Sequence, residues 1–468
     1  MAALTDQSIT ELAAQISSRK VSPVELVKAH FARIKEVNDK VNAYVLLTEE
    51  AALAEAKQAE AEIMKGQYRG PLHGIPIGQK DLIETKGVRS TAASKVMANH
   101  VPTRDATVVT RWRNAGTIML GKLNTHEWAY GPTNDSSCFG PARNPWNTAC
   151  FSGGSSGGSG AAVALGMAVG ATGTDTGGSI RIPSAACGIT GLKPTYGRAP
   201  RAGIFPLCWS MDHPGPMARS VEDCALLLQP LVGRDPLDAA TVDRPAADYM
   251  GALKGGVKGK RIGVVSRHFY AKADVEVERA VREAVKVLEG LGAQVEEVDI
   301  PDIDHAATAA LIMYLSEGTA YHDDWLNEHS ALFTDQVRTF LELGHYVLAK
   351  DYIRAQRFRT HLGQQVADAF ERVDVLATPT LPITAQPIGQ ATTTVRGKEV
   401  PVFGSLIANT EPFNLTGLPT LALPCGFSSK GLPISLQLTG RPFEEGRVLA
   451  VGHAYQGATD WHKKRPKL

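Results

Sequence analysis

Two glycine-rich stretches that contain serines follow a single Lys-Asp pair, and together they constrain this chain more than any other feature. Residues 153–160 read Gly-Gly-Ser-Ser-Gly-Gly-Ser-Gly, and residues 173–181 read Gly-Thr-Asp-Thr-Gly-Gly-Ser-Ile-Arg. Glycine lets backbone N–H groups point at a developing oxyanion and lets a substrate approach closely. Lys80 lies upstream, where it offers a base. The pattern therefore supplies a candidate nucleophile, a proton carrier and oxyanion donors.

Each of these motifs has a simpler interpretation when it is taken alone. A Gly-Gly-Ser segment is commonly a turn, and a lone lysine is more often a surface charge. The stretch at 153–160 lacks the Gly-Lys-Ser/Thr of a phosphate loop, and a flexible linker would not be followed so closely by the apolar segment 161–171. If Lys80 were buried beside hydroxyl groups, its ammonium form would be costly. Its pKa would then fall, and the neutral amine would serve as a base.

Composition indicates a globular protein of balanced charge. Hydrophobic residues make up 43% of the 468 residues and charged residues 21%, which suffices for a sizeable core. Because 49 Lys and Arg balance 48 Asp and Glu, we expect neither nucleic acid nor a membrane as partner. The cysteines and histidines show no metal-binding spacing, so we expect no metal and no cofactor. The N-terminus lacks a basic segment followed by an apolar one, so we expect a cytoplasmic protein.

Local patterns predict helices at the N-terminus and a mixture of strands and helices beyond it. Ser22 and Pro23 are typical of a helix start, and the Ala/Glu-rich segment 49–65 predicts a second long helix. Short apolar runs alternate with glycine turns over residues 75–179, as in an α/β sheet. The other predicted elements are strands at 261–265, 293–300 and 375–379, a helix over 277–288, a helical region over 306–373 and a polar loop at 382–402.

We expect a single large α/β domain over residues 1–468. Within it, residues 1–70 would form a mainly helical N-terminal part and residues 71–230 the catalytic core. Residues 231–468 would supply peripheral helices and strands that return to the sheet, after a surface connection at 233–260 that is rich in Gly, Pro, Asp and Ala.

These motifs resemble those of the amidase signature family of hydrolases. That family has a lysine in a Gly-x-x-x-x-x-Lys-Asp context, then Gly-Gly-Ser-Ser-Gly-Gly, then Gly-x-Asp-x-Gly-Gly-Ser-x-Arg, and this sequence is similar at each. The similarity continues at 183–195, 212–217 and 414–419, so it is spread over most of the chain. The resemblance implies a central mixed, twisted β-sheet covered by helices on both faces.

The resemblance also implies a serine–serine–lysine triad. Carried over residue by residue, it makes Ser179 the acyl-forming nucleophile, Ser155 the bridging serine in a cis peptide, and Lys80 the terminal base. The oxyanion hole would be formed by four backbone N–H groups, those of Thr176, Gly177, Gly178 and Ser179.

Two further sets of residues are assigned supporting roles. Asp175 and Arg181 are expected to brace the loop that carries the nucleophile. Four bulky residues lie in segments that border the substrate in the family, and they predict an apolar or aryl-accepting pocket. These residues are Trp128, Tyr130, Leu207 and Trp209.

We therefore expect a free-standing amidohydrolase that cleaves C–N bonds of largely uncharged amides, anilides or carbamates. The same acyl-enzyme chemistry extends to esterase and urethanase activity. Its expected partners are a small-molecule amide or carbamate substrate and a second copy of the chain in a homodimer. A catalytically silent binding or assembly subunit is disfavoured, because such a chain has no need of the complete Lys80, Ser155 and Ser179 set.

The alternative is the glutamine-hydrolysing A subunit of a tRNA-dependent amidotransferase, which uses the same triad. That protein usually has glutamine after the arginine of the Gly-Gly-Ser-x-Arg motif, where this chain has Ile182. It usually has paired arginines where this chain has Thr339 and Phe340, and an aspartate where this chain has Ile407. Recognition of a zwitterion needs paired charges, so these differences favour an uncharged substrate.

Overall fold

The computed structural model describes residues 3–468, and strands and α-helices alternate along most of this range. The strands are β1 (Tyr44–Leu47), β2 (Pro76–Lys80), β3 (Ile118–Leu123), β4 (Gly170–Asp175), β5 (Thr190–Lys193), β6 (His213–Ala218), β7 (Arg261–Val264), β8 (Gln294–Glu297), β9 (Val375–Pro379), β10 (Thr392–Val395), β11 (Lys398–Pro401), β12 (Thr420–Phe427) and β13 (Pro433–Thr439). The α-helices are α1 (Ile9–Ser17), α2 (Pro23–Val41), α3 (Glu49–Met64), α4 (Thr107–Asn114), α5 (Gly157–Ala164), α6 (Arg181–Cys187), α7 (Val221–Leu228), α8 (Tyr249–Ala252), α9 (Val275–Gly290), α10 (Ala306–His329), α11 (Asp335–Gly344), α12 (Ala349–Arg372), α13 (Val402–Ile407), α14 (Glu411–Leu415) and α15 (Glu445–Ala458).

One mixed sheet runs through the molecule. Its 11 strands lie in the order β1-β3-β2-β4-β6-β5-β12-β13-β9-β7-β8, and β10 and β11 form a separate hairpin. The pairs β3/β2, β2/β4, β9/β7 and β7/β8 are parallel, and the other neighbours are antiparallel. Helices cover both faces of this sheet in one α/β domain, which confirms the predicted fold class.

Several local predictions agree with the observed elements because strong sequence signals set the ends. Ser22 caps α2, where its hydroxyl accepts from the N–H groups of Val24 and Glu25. Helix α3 covers the Ala/Glu-rich segment. Helix α9 follows β7 and precedes β8 along the chain, and it buries one apolar face. Aliphatic residues repeat at helical spacing along that face of α9, which drives its packing on the sheet.

Other elements differ from the sequence prediction. The segment predicted as a loop at 382–402 contains the β10–β11 hairpin, which turns at Arg396 and Gly397. Both residues have positive φ, and an Arg-Gly turn is a weaker hairpin signal than Asn-Gly. Strand β8 is shorter than the predicted 293–300, and β1 adds an unpredicted strand to the N-terminal helical part. Such edge strands have few inward-facing apolar residues, so periodicity marks them poorly.

The sheet brings together the ends of two parallel strands that carry the sequence motifs. Strand β2 ends at Lys80 and pairs in parallel with β4, whose register sets Ile77 opposite Gly170. The backbone N–H of Lys80 donates to Thr172 Oγ1 at 2.9 Å, which ties the two strands near their ends. The carboxyl ends of parallel strands meet at one edge of a sheet, so the Lys80 side chain and the loop after β4 lie together.

Apolar packing holds this arrangement in place. The largest buried cluster joins the strands β12, β13, β9 and β7 to α9, α10 and α15, and a second surrounds α5 and β3. Between residues 3 and 468, no helix combines the length and the apolar character needed to cross a bilayer.

The central strand β13 offers a test of this packing. We expect Leu438→Ala to lower the free energy of unfolding by about 2–5 kcal/mol, because the Leu438 side chain is fully buried and its removal leaves a cavity. Urea unfolding followed by circular dichroism measures the change. Leu343→Ala on α11, where the side chain is 47% exposed, is the matched control and should shift stability by less than about 0.5 kcal/mol. Equal effects of the two substitutions would contradict the packing described.

Candidate active site

Lys80 ends β2 inside the protein, where hydroxyl groups surround its amine. Its side chain is fully buried. The Nζ atom lies 2.7 Å from Ser155 Oγ and 2.7 Å from Thr174 Oγ1. No carboxylate lies within ion-pair distance of Nζ among the described residues. The nearest partners are therefore neutral groups, which can donate to an amine as well as accept from it.

This environment changes the protonation of the lysine. Burial lowers the pKa of Lys80 from its ordinary value of 10.5 to about 7, against smaller opposing effects of the Asp175 and Asp212 charges. An ammonium ion loses its hydration when it is buried, and the two hydroxyls replace only part of it. A substantial fraction of the Lys80 amine is consequently neutral near pH 7 and can accept a proton.

Ser155 lies two residues before the start of α5 and is held by its backbone. The peptide bond between Gly154 and Ser155 is cis. The Ser155 carbonyl accepts hydrogen bonds from Thr125 Oγ1 at 2.9 Å and from the N–H of His126 at 3.0 Å. These contacts fix the Ser155 hydroxyl beside Lys80 from the opposite side of the residue.

The glycines after Ser155 serve close packing. A Cβ atom at Gly158 would lie 2.5 Å from the backbone nitrogen of Asn124 and 2.6 Å from its carbonyl oxygen. No side chain fits there, so glycine lets the first turn of α5 lie directly against the chain at Asn124. The first glycine-rich stretch is therefore a packing surface that seats Ser155 at the end of β2.

Ser179 lies at the end of the loop that links β4 to α6. Along this loop, the backbone N–H groups of Thr176, Gly177, Gly178 and Ser179 donate to no protein acceptor within the described residues. Buried N–H groups are normally paired, so a run of free donors here is consistent with a site for a substrate oxygen. The loop has the free donors that an oxyanion hole requires.

Thr410 holds the same loop from the other side. Its hydroxyl donates to the carbonyl of Gly177 and also contacts the Ile407 carbonyl at 3.0 Å. Gly178 has φ +135°, and a Cβ there would lie 2.3 Å from Thr410 Oγ1. A peptide C=O and the following N–H point in opposite directions, so the bond to Gly177 O orients the N–H of Gly178 away from Thr410.

The hydroxyls of Ser155 and Ser179 are not hydrogen-bonded to each other in the described chain. The two segments are joined instead by the N–H of Ser156, which donates to the Ser179 carbonyl at 3.3 Å. Catalytic hydrogen bonds are often long before substrate binds and tighten in the complex. The structure thus joins Lys80 to Ser155 by a direct hydrogen bond, and it joins Ser179 to the backbone of Ser156.

Asp175 and Arg181 form a buried ion pair that spans the nucleophile loop. Arg181 Nε lies 2.9 Å from Asp175 Oδ2, and a second guanidinium nitrogen lies 3.0 Å from Oδ1. Asn414 contacts both side chains. Burial alone would raise the pKa of Asp175, but the charge and hydrogen bonds of Arg181 outweigh it and hold the carboxylate ionised. The pair closes the loop and ties it to α14.

A cavity of about 310 Å³ opens beside Ser179. Its wall is mostly apolar or aromatic, and no Lys, Arg or His side chain lines it in the described part of the chain. The side chains that decide its chemistry are Tyr130, Leu207, Tyr314, Phe340, Ile407 and Glu411. A small enclosed apolar cavity with few polar groups is typical of a substrate site.

The structure places only two of the predicted pocket residues at this cavity. Tyr130 and Leu207 line it, whereas Trp128 and Trp209 lie elsewhere. Trp128 is fully buried with its ring stacked on Trp325 at 5.2 Å, because its large apolar surface is covered within a helical cluster. Trp209 is 63% exposed and packs over the Arg201 guanidinium. The two tryptophans are therefore removed from the pocket assignment.

Four residues around the site escaped the sequence analysis. Thr174 and Asp175 are neighbours on β4, and successive side chains of a strand point to opposite faces of the sheet. The Thr174 side chain therefore points away from the Asp175 side chain, and it contacts Lys80. Tyr314 lies on α10 without any motif, and only the packing of that helix over the loop brings it to the cavity. Thr410 and Glu411 lie a few residues before the Asn-Leu-Thr-Gly segment that begins at Asn414, and their closeness to this motif is a signal that could have found them.

No metal site is evident. Across residues 3–468, no group of three or more His, Cys, Asp or Glu side chains converges so as to hold a metal ion. The expectation that the protein needs no cofactor stays a prediction.

The fold and this site define the class of protein. Residues 25–449 match the family model described as Amidase, and the chain belongs to this amidase signature family. A curated relative from Roseiflexus sp. (strain RS-1), named as the A subunit of glutamyl-tRNA(Gln) amidotransferase, is 44% identical over 96% of this chain and 96% of its own length. A protein of Pseudomonas putida named amidase is 43% identical, over 100% of this chain and 99% of its own.

A solved structure extends the comparison. It is described as a vestigial protein complex that reveals the evolutionary origins of an s-triazine catabolic enzyme. It is 35% identical, with a TM-score of 0.94, and the match covers 99% of this chain and 100% of that one. The agreement in both sequence and fold over the full length confirms the family that the motifs predicted.

The predicted set of partners is wrong. We expected a free-standing enzyme whose partners are a small-molecule amide or carbamate and a second copy of the chain, without nucleic acid or membrane. The Roseiflexus relative is named as one component of a larger amidotransferase, and the matched solved structure is a protein complex. The prediction came from the triad and its pocket, which lie inside the domain, whereas contacts with other proteins depend on surface residues that carry no motif.

The lysine environment predicts a pH dependence. We expect kcat/KM for a neutral substrate to rise with pH through about 7, because Lys80 has a pKa of about 7 and acts as a base only when neutral. Below that pH, activity should fall by about tenfold per unit. Initial rates across the range from about pH 5 to about pH 9 measure the profile. A profile without an inflection near neutrality would contradict this role.

Thr410 provides a second prediction. Thr410→Val should lower kcat roughly 10- to 100-fold with little change in KM, because the peptide between Gly177 and Gly178 loses the bond that orients it. Steady-state kinetics separates the two constants. Thr360→Val on α12 is the matched control, because Thr360 also donates to a backbone carbonyl but lies on the surface. A change confined to KM would argue against orientation of an oxyanion donor.

Proposed function

We propose that this protein hydrolyses the C–N bond of an amide through an acyl-enzyme on Ser179. The observation that carries the proposal is the fully buried Lys80 amine, 2.7 Å from Ser155 Oγ, with a pKa lowered to about 7. A buried lysine that is partly neutral and contacts a serine beside a second serine forms a proton relay. A structural lysine would instead be expected to pair with a carboxylate.

The reaction follows from these positions. Ser179 Oγ attacks the carbonyl carbon as its proton passes to Ser155 Oγ, and the Ser155 proton passes to Lys80 Nζ. The free N–H groups of the loop from Thr176 to Ser179 stabilise the negative oxygen of the tetrahedral intermediate. The relay then runs in reverse, so a proton reaches the leaving nitrogen as the C–N bond breaks. Water repeats the sequence on the acyl-enzyme and releases the acid.

The cavity supports an uncharged substrate. Phe340 and Ile407 occupy positions where glutamine-hydrolysing members of the family usually have charged residues, and both side chains line the cavity. Without a cation on the wall, a substrate carboxylate would lose its hydration and gain no counter-charge. The preferred substrates are therefore largely uncharged amides, anilides or carbamates, and the same chemistry extends to esters and urethanes.

A second candidate is glutamine hydrolysis within a larger amidotransferase. The specific observation in its favour is the Roseiflexus relative, which carries the name of an amidotransferase component and matches 96% of this chain. The triad chemistry is the same in both candidates, and they differ in the substrate and in the need for protein partners. In this candidate, glutamine would be bound by groups that a partner supplies or rearranges, because the cavity wall lacks a cation.

The decisive experiment is amine or ammonia release from aliphatic amides, anilides, aryl carbamates and glutamine. We expect Ser179→Ala and Lys80→Ala each to lower turnover by about 10³-fold or more, because each removes one end of the relay. Ser429→Ala on the surface is the matched control and should keep full activity. Circular dichroism checks that each variant is folded. Full activity in both triad variants would refute the proposed reaction.

The same panel separates the two candidates. It is run on the purified chain and on the chain together with the proteins that co-purify with it. Release from neutral amides by the chain itself favours the first candidate. Activity on glutamine alone, and only in the presence of co-purifying proteins, favours the second.

A further inference from the structure

Glu411 is the one acidic side chain on the wall of the Ser179 cavity among the described residues. It is only 1% exposed, and its Oε2 atom has no hydrogen-bond partner. The mechanism proposed above does not use it. A buried carboxyl group that faces a cavity without a partner is costly, so its presence there calls for a ligand that completes its hydrogen bonds.

The surroundings determine the charge of this group. Burial raises the pKa of Glu411 well above its ordinary value of 4.5, and Tyr314 opposes the shift only in part. No lysine, arginine or histidine lines the cavity to stabilise a carboxylate. Burial therefore favours the neutral form of Glu411, which has one O–H that donates and one oxygen that accepts.

Two tyrosine hydroxyls accompany the acid. Tyr130 and Tyr314 line the same cavity, and their hydroxyl oxygens are likewise buried without a partner of full hydrogen-bond geometry. Tyr314 lies next to Glu411 and its hydroxyl lowers the pKa of the acid, but neither Tyr314 Oη nor Glu411 Oε2 has a partner with full hydrogen-bond geometry. An otherwise apolar cavity is thus lined by three residues whose buried polar atoms lack a partner of full hydrogen-bond geometry, which is the arrangement of a recognition site for a neutral polar ligand.

A neutral acid matches one class of group in particular. A planar amide, urea or carbamate has a carbonyl that accepts and an N–H that donates side by side. A carboxylic acid offers the complementary O–H and C=O, so the two form a pair of parallel hydrogen bonds. The acyl part stays attached to Ser179 after the amine has left, and we assign the cavity beside Ser179 to this part of the substrate.

We propose that Glu411 is a specificity-determining residue that binds a second, uncharged amide, urea or carbamate group in the acyl part of the substrate. This inference rests on the proposed amide hydrolysis and narrows its substrate class. A substrate with such a group satisfies the buried acid, whereas a purely aliphatic acyl group leaves it unpaired. Sites of this kind discriminate strongly against analogues that lack the hydrogen-bonding group.

A positioning role is the competing explanation. The side chains of Tyr314 and Glu411 pack against Gly177, because a Cβ at Gly177 would lie 2.4 Å from Tyr314 Oη and 3.5 Å from Glu411 Cγ. If Glu411 only supported the oxyanion loop, its replacement would slow all substrates alike. Recognition instead predicts a loss that is confined to substrates with the second amide.

The test uses matched pairs of p-nitroanilides that differ only in this group. Acetylglycyl, acetyl-β-alanyl and acetyl-γ-aminobutyryl anilides carry an amide at successive positions, and straight-chain acyl anilides of equal length lack it. The purified wild-type chain should prefer one of the amide-bearing substrates in kcat/KM. Glu411→Met should lower that preference by about 5- to 100-fold, because the amide-bearing substrates lose two neutral hydrogen bonds that the aliphatic anilides never make.

Glu411→Gln keeps one donor and one acceptor without an ionisable group, so it should retain most of the preference. The panel also includes anilides whose acyl part carries a charged amino group in place of the amide. If Glu411→Gln loses the preference for the amide, and only the wild type cleaves the amino-substituted anilides, the site binds a cation and the inference is overturned. A matched control is Glu283→Gln on the surface of α9, where the side chain is 62% exposed.

Failure of the inference is distinguishable from failure of the proposed function. Turnover of aliphatic anilides without any Glu411-dependent preference would overturn the inference alone. If no anilide is cleaved, calorimetry on the folded Ser179→Ala variant compares N-acetylglycinamide with pentanamide. Tighter binding of N-acetylglycinamide that Glu411→Met abolishes would support the inference, and equal binding would overturn it.

Discussion

The burial of the Lys80 amine against two hydroxyl groups is the interaction on which the rest of the site depends. An ammonium ion is costly where its partners are neutral, so burial shifts this lysine toward its neutral form. The arrangement requires the parallel pairing of β2 and β4, which sets Lys80 beside Thr174, and the close packing of α5, which sets Ser155 beside both. The sheet therefore determines the protonation of the base as well as its position.

Three buried ionisable groups near Ser179 respond to the same loss of hydration in different ways. Lys80 has only hydroxyls around it and becomes partly neutral. Asp175 has the Arg181 guanidinium and stays charged, which makes it a rigid brace for the nucleophile loop. Glu411 has no cation beside it in the cavity wall, and Tyr314 offsets the effect of burial only in part, so its pKa is raised and its neutral form is favoured. The chemistry of the neighbouring groups thus gives three buried ionisable side chains in one region different protonation behaviour.

The strongest local signals in the sequence predicted the elements that they describe. Ser22 caps a helix, α9 lies between two parallel strands, and the glycine-rich segments surround the Ser155 and Ser179 positions. The pocket was predicted less well. The sequence predicts that bulky residues near the motifs line the pocket, but Trp128 packs into a helical cluster and Trp209 faces solvent. Side-chain size indicates burial but not the direction in which a side chain points.

By itself, the sequence determined the family and the α/β class and predicted the three polar residues of the proposed relay, because these depend on short segments whose glycines, serines and lysine have few other uses. Only the tertiary structure decided the rest of the site. Tyr314, Thr410 and Glu411 reach Ser179 from segments that are more than 100 residues away, through the packing of α10 and α14 on the loop. The protonation of Lys80 and Glu411 also depends on burial, which is a property of the folded surroundings and of no local pattern.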